Sequence, residues 1–265
     1  MYPFQYHRAT SVADAIDAMD AVDDGKFLAG GQTLLASLKL RLARPDRLVD
    51  IGGIPELRGV FMDGDHIRIG AMTRHADVAA SRHLAEAIPA LARLAGGIGD
   101  PMVRHRGTLG GSIANADPAA DYPAAVLGLG ATVITSRRRI AGDAFFRGLF
   151  ETALAPGEMI TAVEFPVPRR AAYVKFRHPA SRFALVGVFV ADTAAGPRVA
   201  VTGAAASVFR LEAFESELAR NFTVGALADL SVDPGEFNSD LHASAEYRAQ
   251  LVGVIARRAV AAALA

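Results

Sequence analysis

Gly99-Asp-Pro-Met-Val-Arg-His-Arg-Gly-Thr-Leu-Gly-Gly-Ser-Ile-Ala-Asn-Ala-Asp-Pro-Ala-Ala-Asp-Tyr-Pro123 is the stretch on which the reading of this chain turns. At its centre, Thr108-Leu109-Gly110-Gly111-Ser112 sets two adjacent glycines between hydroxyl side chains. Adjacent glycines free the backbone to take positive φ and to approach a ligand with no Cβ in the way. Successive N–H groups in such a turn form an anion-binding concavity, which flanking Thr and Ser extend with further donors. Asn115, Asp117, Pro118, Asp121 and Pro123 follow as a run of Asx and proline turns. A lone Gly-Gly also reads as an ordinary turn between strands. A second such turn, Ala29-Gly30-Gly31-Gln32-Thr33, follows the apolar Phe27-Leu28. Two of them suggest a ligand with two phosphates, or one pyrophosphate gripped from both sides.

The elements around these turns divide the chain. Ser11-Val-Ala-Asp14 has the form of a capping box ahead of Val12, Ala15, Ile16, Met19 and Val22, which repeat at helical spacing. A short strand over 26–29 then runs into the first glycine turn, a helix over 33–42 leaves it, and 47–51 reads as a buried strand. From Leu57 the pattern becomes short strands: a hairpin over 60–70 turning at Asp63-Gly64-Asp65, then strands over 131–135 and 159–165. Between them the sequence predicts helices from Thr73 to Ala80, His83 to Leu94 and Ala119 to Leu129, and a short one from Asp143 to Leu149. Pro166 and Pro168 mark a boundary. The remainder reads as a three-stranded antiparallel meander (173–176, 183–191, 198–202) followed by helices over 208–220, 224–230 and 241–264. Strands followed by helices indicate an α+β unit. The expected division is therefore 1–167, with lobes of 1–55 and 56–167, and 168–265.

Composition narrows the function. The chain has 265 residues, 28 basic and 28 acidic side chains and no cysteine. A net charge near zero gives no reason to expect nucleic acid or an anionic membrane as partner. Arg137-Arg138-Arg139 reads as a solvated strand end or loop, with contact to a partner subunit as the alternative. Without cysteine there is no thiolate metal site and no cysteine-ligated iron–sulfur cluster in this chain. No stretch approaches the ~20 apolar residues of a membrane span, and the N-terminus does not read as a signal peptide, so a cytoplasmic location is expected. The dinucleotide fingerprint G-x-G-x-x-G is absent, because Gly97-Ile-Gly99 continues as Asp100-Pro101-Met102. There is no phosphate-binding G-x-x-x-x-G-K, no G-x-S-x-G and no H-E-x-x-H. His7, His66, His75, His83, His105, His178 and His242 are scattered without ligand-like spacing. The residues themselves assign neither a metal site nor a catalytic triad.

Taken in order, Ala29-Gly-Gly-Gln-Thr-Leu34, Pro45-Asp-Arg-Leu-Val-Asp-Ile-Gly-Gly-Ile-Pro-Glu-Leu57, Ile69-Gly-Ala-Met-Thr-Arg-His75, Thr108-Leu-Gly-Gly-Ser-Ile-Ala114 and Asn238-Ser-Asp-Leu-His-Ala-Ser-Ala-Glu-Tyr-Arg248 carry a resemblance over nearly the whole chain. The sequence resembles the FAD-binding medium subunit of molybdenum hydroxylases, the carbon monoxide dehydrogenase and xanthine dehydrogenase group. In that family the two turns usually read A-G-G-H-S-L and T-[IL]-G-G-[NS]-[IL]-A. The resemblance implies a two-lobed FAD-binding domain outside the Rossmann class, of the vanillyl-alcohol-oxidase type, followed by a small C-terminal domain.

It further implies that FAD is held through Ala29, Gly30, Gly31, Gln32, Thr33, Thr108, Leu109, Gly110, Gly111 and Ser112, with the glycine turns on its pyrophosphate. Asp121 matches an acidic residue that contacts the cofactor; read alone, it is equally a carboxylate at a helix N-terminus. Ile160 and Lys175 fall near flavin-touching positions, although the residues alone suggest a core strand position and an exposed lysine. Gln32 departs from the family's usual His: it keeps hydrogen-bonding capacity but carries no proton. His105 is the one candidate for a covalent flavin link, against the family's noncovalent mode. The implied partners are a large molybdenum-cofactor subunit and a small subunit with two [2Fe–2S] clusters, in a dimer of heterotrimers. The medium subunit's FAD would take electrons from the clusters and pass them to an external acceptor, with no catalytic acid or base supplied by this chain. The rival reading is a stand-alone FAD-dependent oxidoreductase.

Overall fold

A computed structural model describes all residues, 1–265. The first lobe is a three-stranded parallel sheet in the order Gln5–Arg8, Arg47–Asp50, Gly25–Leu28. Its edge strand Gln5–Arg8 has no apolar alternation, and the sequence reading passes over it. Helix Val12–Asp20 connects the first two strands of the chain; Ser11 caps it by accepting from the Asp14 amide at 3.1 Å. The Asp14 carboxylate turns instead to the Thr10 amide at 2.8 Å and to His7, so only half of a capping box forms.

The second lobe is a five-stranded antiparallel sheet, ordered Val60–Asp63, His66–Gly70, Ile160–Pro166, Thr132–Thr135, Arg139–Ala141. Several boundaries move from their predicted places for local reasons. The helix expected from His83 to Leu94 is two, Arg82–Ala87 and Pro89–Gly96, because proline is tolerated in a first turn and not inside a helix. Thr73 does not cap the next helix; its hydroxyl exchanges hydrogen bonds with Gly59, and the helix is His75–Ala79. The expected helix from Asp143 to Leu149 is a short 3₁₀ turn, Gly142–Ala144, followed by a small hairpin, Phe146–Gly148 with Glu151–Thr152. The arginine run is only partly solvated. Arg138 bonds the buried Glu158 carboxylate at 3.0 Å and the Ala153 carbonyl at 2.7 Å, and Arg139 pairs with Glu164.

The C-terminal sheet has four strands rather than three: Arg170–Arg177, Ala184–Thr193, Gly196–Thr202 and Phe209–Arg210, all antiparallel. The helix expected from residue 208 therefore starts only at Glu212, after that last strand, and ends at Arg220. The segment 224–230 holds a single 3₁₀ turn, Gly225–Leu227, and the last helix is Ala245–Leu264. Every residue of Ala184–Thr193 is buried. Val186, Val188 and Val190 join a core beneath Ala245–Leu264, while Phe189 and Ala191 join the core of the second lobe. A strand covered on both faces reads as one apolar run, as Phe183–Ala191 does. On the second-lobe side it meets helix Tyr122–Gly128, all seven residues of which are buried. Gly128 makes that contact possible, since a Cβ there would lie 2.7 Å from the Phe189 ring.

Candidate functional site

The two glycine turns come together at the seam between the lobes. Gly30 is pressed against the chain just ahead of the second turn: a Cβ on it would lie 2.1 Å from the Arg106 carbonyl oxygen. A cavity of about 680 Å³ opens beside this seam, a size suited to a cofactor. Its wall includes Ala29, Gly30, Gly31, Gln32, Thr33, Thr108, Gly110, Gly111, Ser112, Asp121 and Ile160. Two of the predicted residues do not line it. Leu109 is fully buried in the second-lobe core, because the backbone around it is helical and turns its side chain inward. Lys175 reaches the wall only through Asp121.

The turns are built differently. At the first, Gly31 has φ +73°, the left-handed conformation glycine takes without strain. The amides of Gly30, Gly31, Gln32 and Thr33 donate to no protein acceptor. Four consecutive unspent donors are a cradle for an anion. The second motif is no positive-φ turn but helix Leu109–Asn115, capped by Thr108, whose Oγ1 accepts from the Gly111 amide at 3.2 Å. Leu109 and Gly110 donate to the carbonyls of Thr73 and Ala71, at 3.0 and 2.8 Å, and Ser112 donates to that of Thr108. Gly110 is needed for packing: a Cβ there would lie 2.6 Å from that of Ala71. Gly111 meets only Thr108 Oγ1 at 2.9 Å and Ala29 Cβ at 3.7 Å.

The cavity wall also holds a buried polar group. Asp121 precedes helix Tyr122–Gly128 but bonds none of its amides. Its carboxylate accepts instead from Tyr173 Oη and from Lys175 Nζ at 2.8 Å. Lys175 is not an exposed lysine; its side chain is 4% accessible. Burial pushes the Asp121 carboxyl up, against the pull of Lys175 and Tyr173. Nothing in the sequence motifs marks Tyr173, although strand spacing puts residues i and i+2 on one face and so places it beside Lys175. Gly187, directly across from Lys175, leaves space for the tyrosine hydroxyl.

Sequence patterns also miss His75, which lines the cavity with Nδ1 buried and unpartnered. Burial, reinforced by Arg104, lowers its pKa to about 4. The link between strands Arg170–Arg177 and Ala184–Thr193 completes the wall with residues 180–183. His105 is exposed and lies outside the wall, so nothing here favours a covalent attachment. The loop after the second turn hangs from the C-terminal sheet. Thr202 Oγ1 lies 2.8 and 2.7 Å from the carbonyl oxygens of Pro118 and Ala120, and the Gly203 amide donates to Pro118 at 2.7 Å.

A row of free amides without the Rossmann fingerprint, set between a parallel and an antiparallel lobe, fits the fold of a flavoprotein of the non-Rossmann class. Residues 2–168 match the family described as "FAD binding domain in molybdopterin dehydrogenase", and the chain belongs to that family. Its cofactor is FAD, and it is an oxidoreductase component. The chain is 36% identical to the carbon monoxide dehydrogenase medium chain of Hydrogenophaga pseudoflava, covering 99% of this chain and 97% of that one. It is 34% identical to the nicotine 6-hydroxylase medium subunit of Paenarthrobacter nicotinovorans, covering 97% and 95%. Among solved structures, reconstituted CO dehydrogenase from Oligotropha carboxidovorans superposes with a TM-score of 0.92 at 33% identity, over 99% of both chains. These relatives are medium subunits of multi-subunit complexes. No helix of this chain is long and apolar enough to cross a membrane.

Proposed function

We propose that this chain is the electron-relay subunit of a cytoplasmic molybdenum hydroxylase, holding one noncovalent FAD in the cavity between its lobes. Bound FAD supplies the redox chemistry, taking up electrons and giving them to an external acceptor. The protein's own work is to hold and orient it. The observation that carries the reading is the row of four free amides, Gly30 to Thr33, beside the Thr108 and Ser112 hydroxyls. These donors suit a pyrophosphate. Also in the cavity wall, Asp121, fixed by Tyr173 and Lys175, offers a polar anchor, and Ile160 an apolar surface. Gln32 replaces a titratable residue with a neutral hydrogen-bonding one, so the cradle keeps its charge across neutral pH. The chain divides accordingly into the FAD-binding domain, 1–167, and a C-terminal domain, 168–265, that closes the cavity.

With no cysteine, the chain cannot hold thiolate-ligated clusters, so electrons from such clusters reach it from another subunit. A small [2Fe–2S] subunit fed by a large molybdenum-cofactor subunit, in a dimer of heterotrimers, fills that need. The test compares the assembled complex with the chain alone. A substrate of the molybdenum site should bleach the flavin absorbance of the complex and leave the isolated chain unchanged, while dithionite reduces both. Turnover of that substrate by the isolated chain would make it a stand-alone oxidoreductase. Acid precipitation should leave yellow FAD in solution; flavin kept in the pellet would mean a covalent bond.

A further inference from the structure

A second, smaller cavity of about 220 Å³ lies behind the glycine turns. Arg8, Arg58, Arg74 and Arg106 line it, with Asp50 as the one carboxylate. The four guanidinium groups come from separate parts of the chain, so no helical or strand periodicity gathers them; the fold does.

None of the four arginines forms an ion pair. Arg58 bonds only a neutral partner, the Gly52 carbonyl. Asp50 is already spent: its oxygens accept from Tyr6 Oη at 2.6 Å and from the Gly52 amide at 2.8 Å. Four positive groups against one carboxylate leave three charges without a counter-ion. Some arginines elsewhere in the chain do pair with carboxylates, as at Arg138 with Glu158, Arg139 with Glu164, Arg210 with Glu215 and Arg248 with Asp240. The cavity also has a telling place in the topology. Arg8 and Asp50 are the last residues of parallel strands Gln5–Arg8 and Arg47–Asp50, and Ala29 directly follows Gly25–Leu28. All three strands deliver their carboxyl ends here, the edge of a parallel sheet at which ligands bind. Ala29, Gly30, Met72 and Thr108 line both cavities, so the two adjoin across these residues.

We infer that this cavity is a second anion site, distinct from the flavin cavity, that takes a phosphate group. Guanidinium forks match tetrahedral oxyanions through paired N–H donors, and a space of about 220 Å³, open to solvent on the arginine side, is too small for a dinucleotide but ample for a phosphate with its water. The inference does not rest on the flavin assignment, since the residues that make it are the arginines of the smaller cavity.

The test titrates inorganic phosphate into the full chain saturated with FAD, in chloride buffer, by calorimetry. One saturable site per chain is expected. Arg58→Gln and Arg74→Gln should each weaken it about tenfold and together about a hundredfold, with flavin content and melting temperature unchanged. A phosphomonoester such as AMP binding tighter than phosphate would assign the group to an organic ligand, and equal affinity to free phosphate; both support the site. No saturable heat, or affinity unchanged in the double variant, overturns the inference. So does phosphate binding seen only without FAD, which would place the anion in the larger cavity.

Discussion

In the Ala29–Thr33 turn, four consecutive amides have no acceptor and Gly31 holds φ at +73°. In Thr108–Ser112 the amides from Leu109 to Ser112 all donate within the protein, and the backbone is helical. Both stretches carry a glycine pair within two residues of a hydroxyl side chain. The first stretch leaves its amides free while Gly30 packs against the Arg106 carbonyl; the second lets a helix lie against Ala71 at Gly110 and turns Gly111 toward the cavity. A glycine can be required by what the backbone must bind or by what must pack against it, and the two demands predict opposite responses to a methyl group.

Gly30→Ala should have the largest effect. Its Cβ would meet the Arg106 carbonyl at 2.1 Å and Gly107 Cα at 2.9 Å, backbone on both counts. We expect a loss of roughly 3 kcal/mol or more, read as a fall in urea midpoint with flavin lost in parallel. A normally stable variant would mean the two turns are not in contact.

His75, which tethers the second motif through its amide to the Gly107 carbonyl, gives the next effect, through pH. Its pKa is depressed to about 4 from 6.5, so the unfolded chain binds the proton more readily. Its contribution is therefore complete above pH 6.5 and lost as pH falls through 4, to a total of roughly 3 kcal/mol. Stability measured at pH 7 and pH 4 should fall less in His75→Leu than in the parent; equal falls would show that His75 is not buried neutral.

Gly110→Ala should cost about 1–3 kcal/mol by overpacking against Ala71, with flavin affinity per folded molecule nearly intact. Gly31→Ala should cost about 1–2 kcal/mol for its left-handed backbone, and fluorescence titration should show flavin binding weakened as well. Gly111→Ala has the smallest effect on stability: alanine favours a helix over glycine by about 1 kcal/mol, which offsets its contact with Thr108. Its methyl group stands at the cavity, and flavin affinity should fall at least tenfold while the melting temperature holds. If Gly111→Ala binds FAD normally and Gly110→Ala does not, the assignment of packing and binding roles within the second motif is reversed.

The two glycine stretches are legible because glycine pairs, hydroxyls and their order survive in a linear reading, as do the apolar strands 47–51 and 159–165. What escaped depends on partners distant in the chain. Gln5–Arg8 is a strand only because Arg47–Asp50 pairs with it. Phe209–Arg210 is a strand through pairing with Ala200 and Val201, not through its own pattern. Lys175 read alone looks like a surface lysine; Asp121, 54 residues away, makes it a buried ion pair. Leu109 was swept in with its motif, although an apolar side chain in a helix facing the core follows the packing and not the ligand.

Hanging the Pro118–Ala120 loop from Thr202 and Gly203 has a consequence for inheritance. A gene fusion broken near residue 168 would pair one lineage's loop with another's sheet, and both ends of these bonds must fit for the loop to keep its place. Asp121 with Lys175, and Gly128 with Phe189, set the same condition. Viable recombinants should therefore exchange residues 116–128 together with 173–203, a discontinuous cassette that ignores the boundary between the domains.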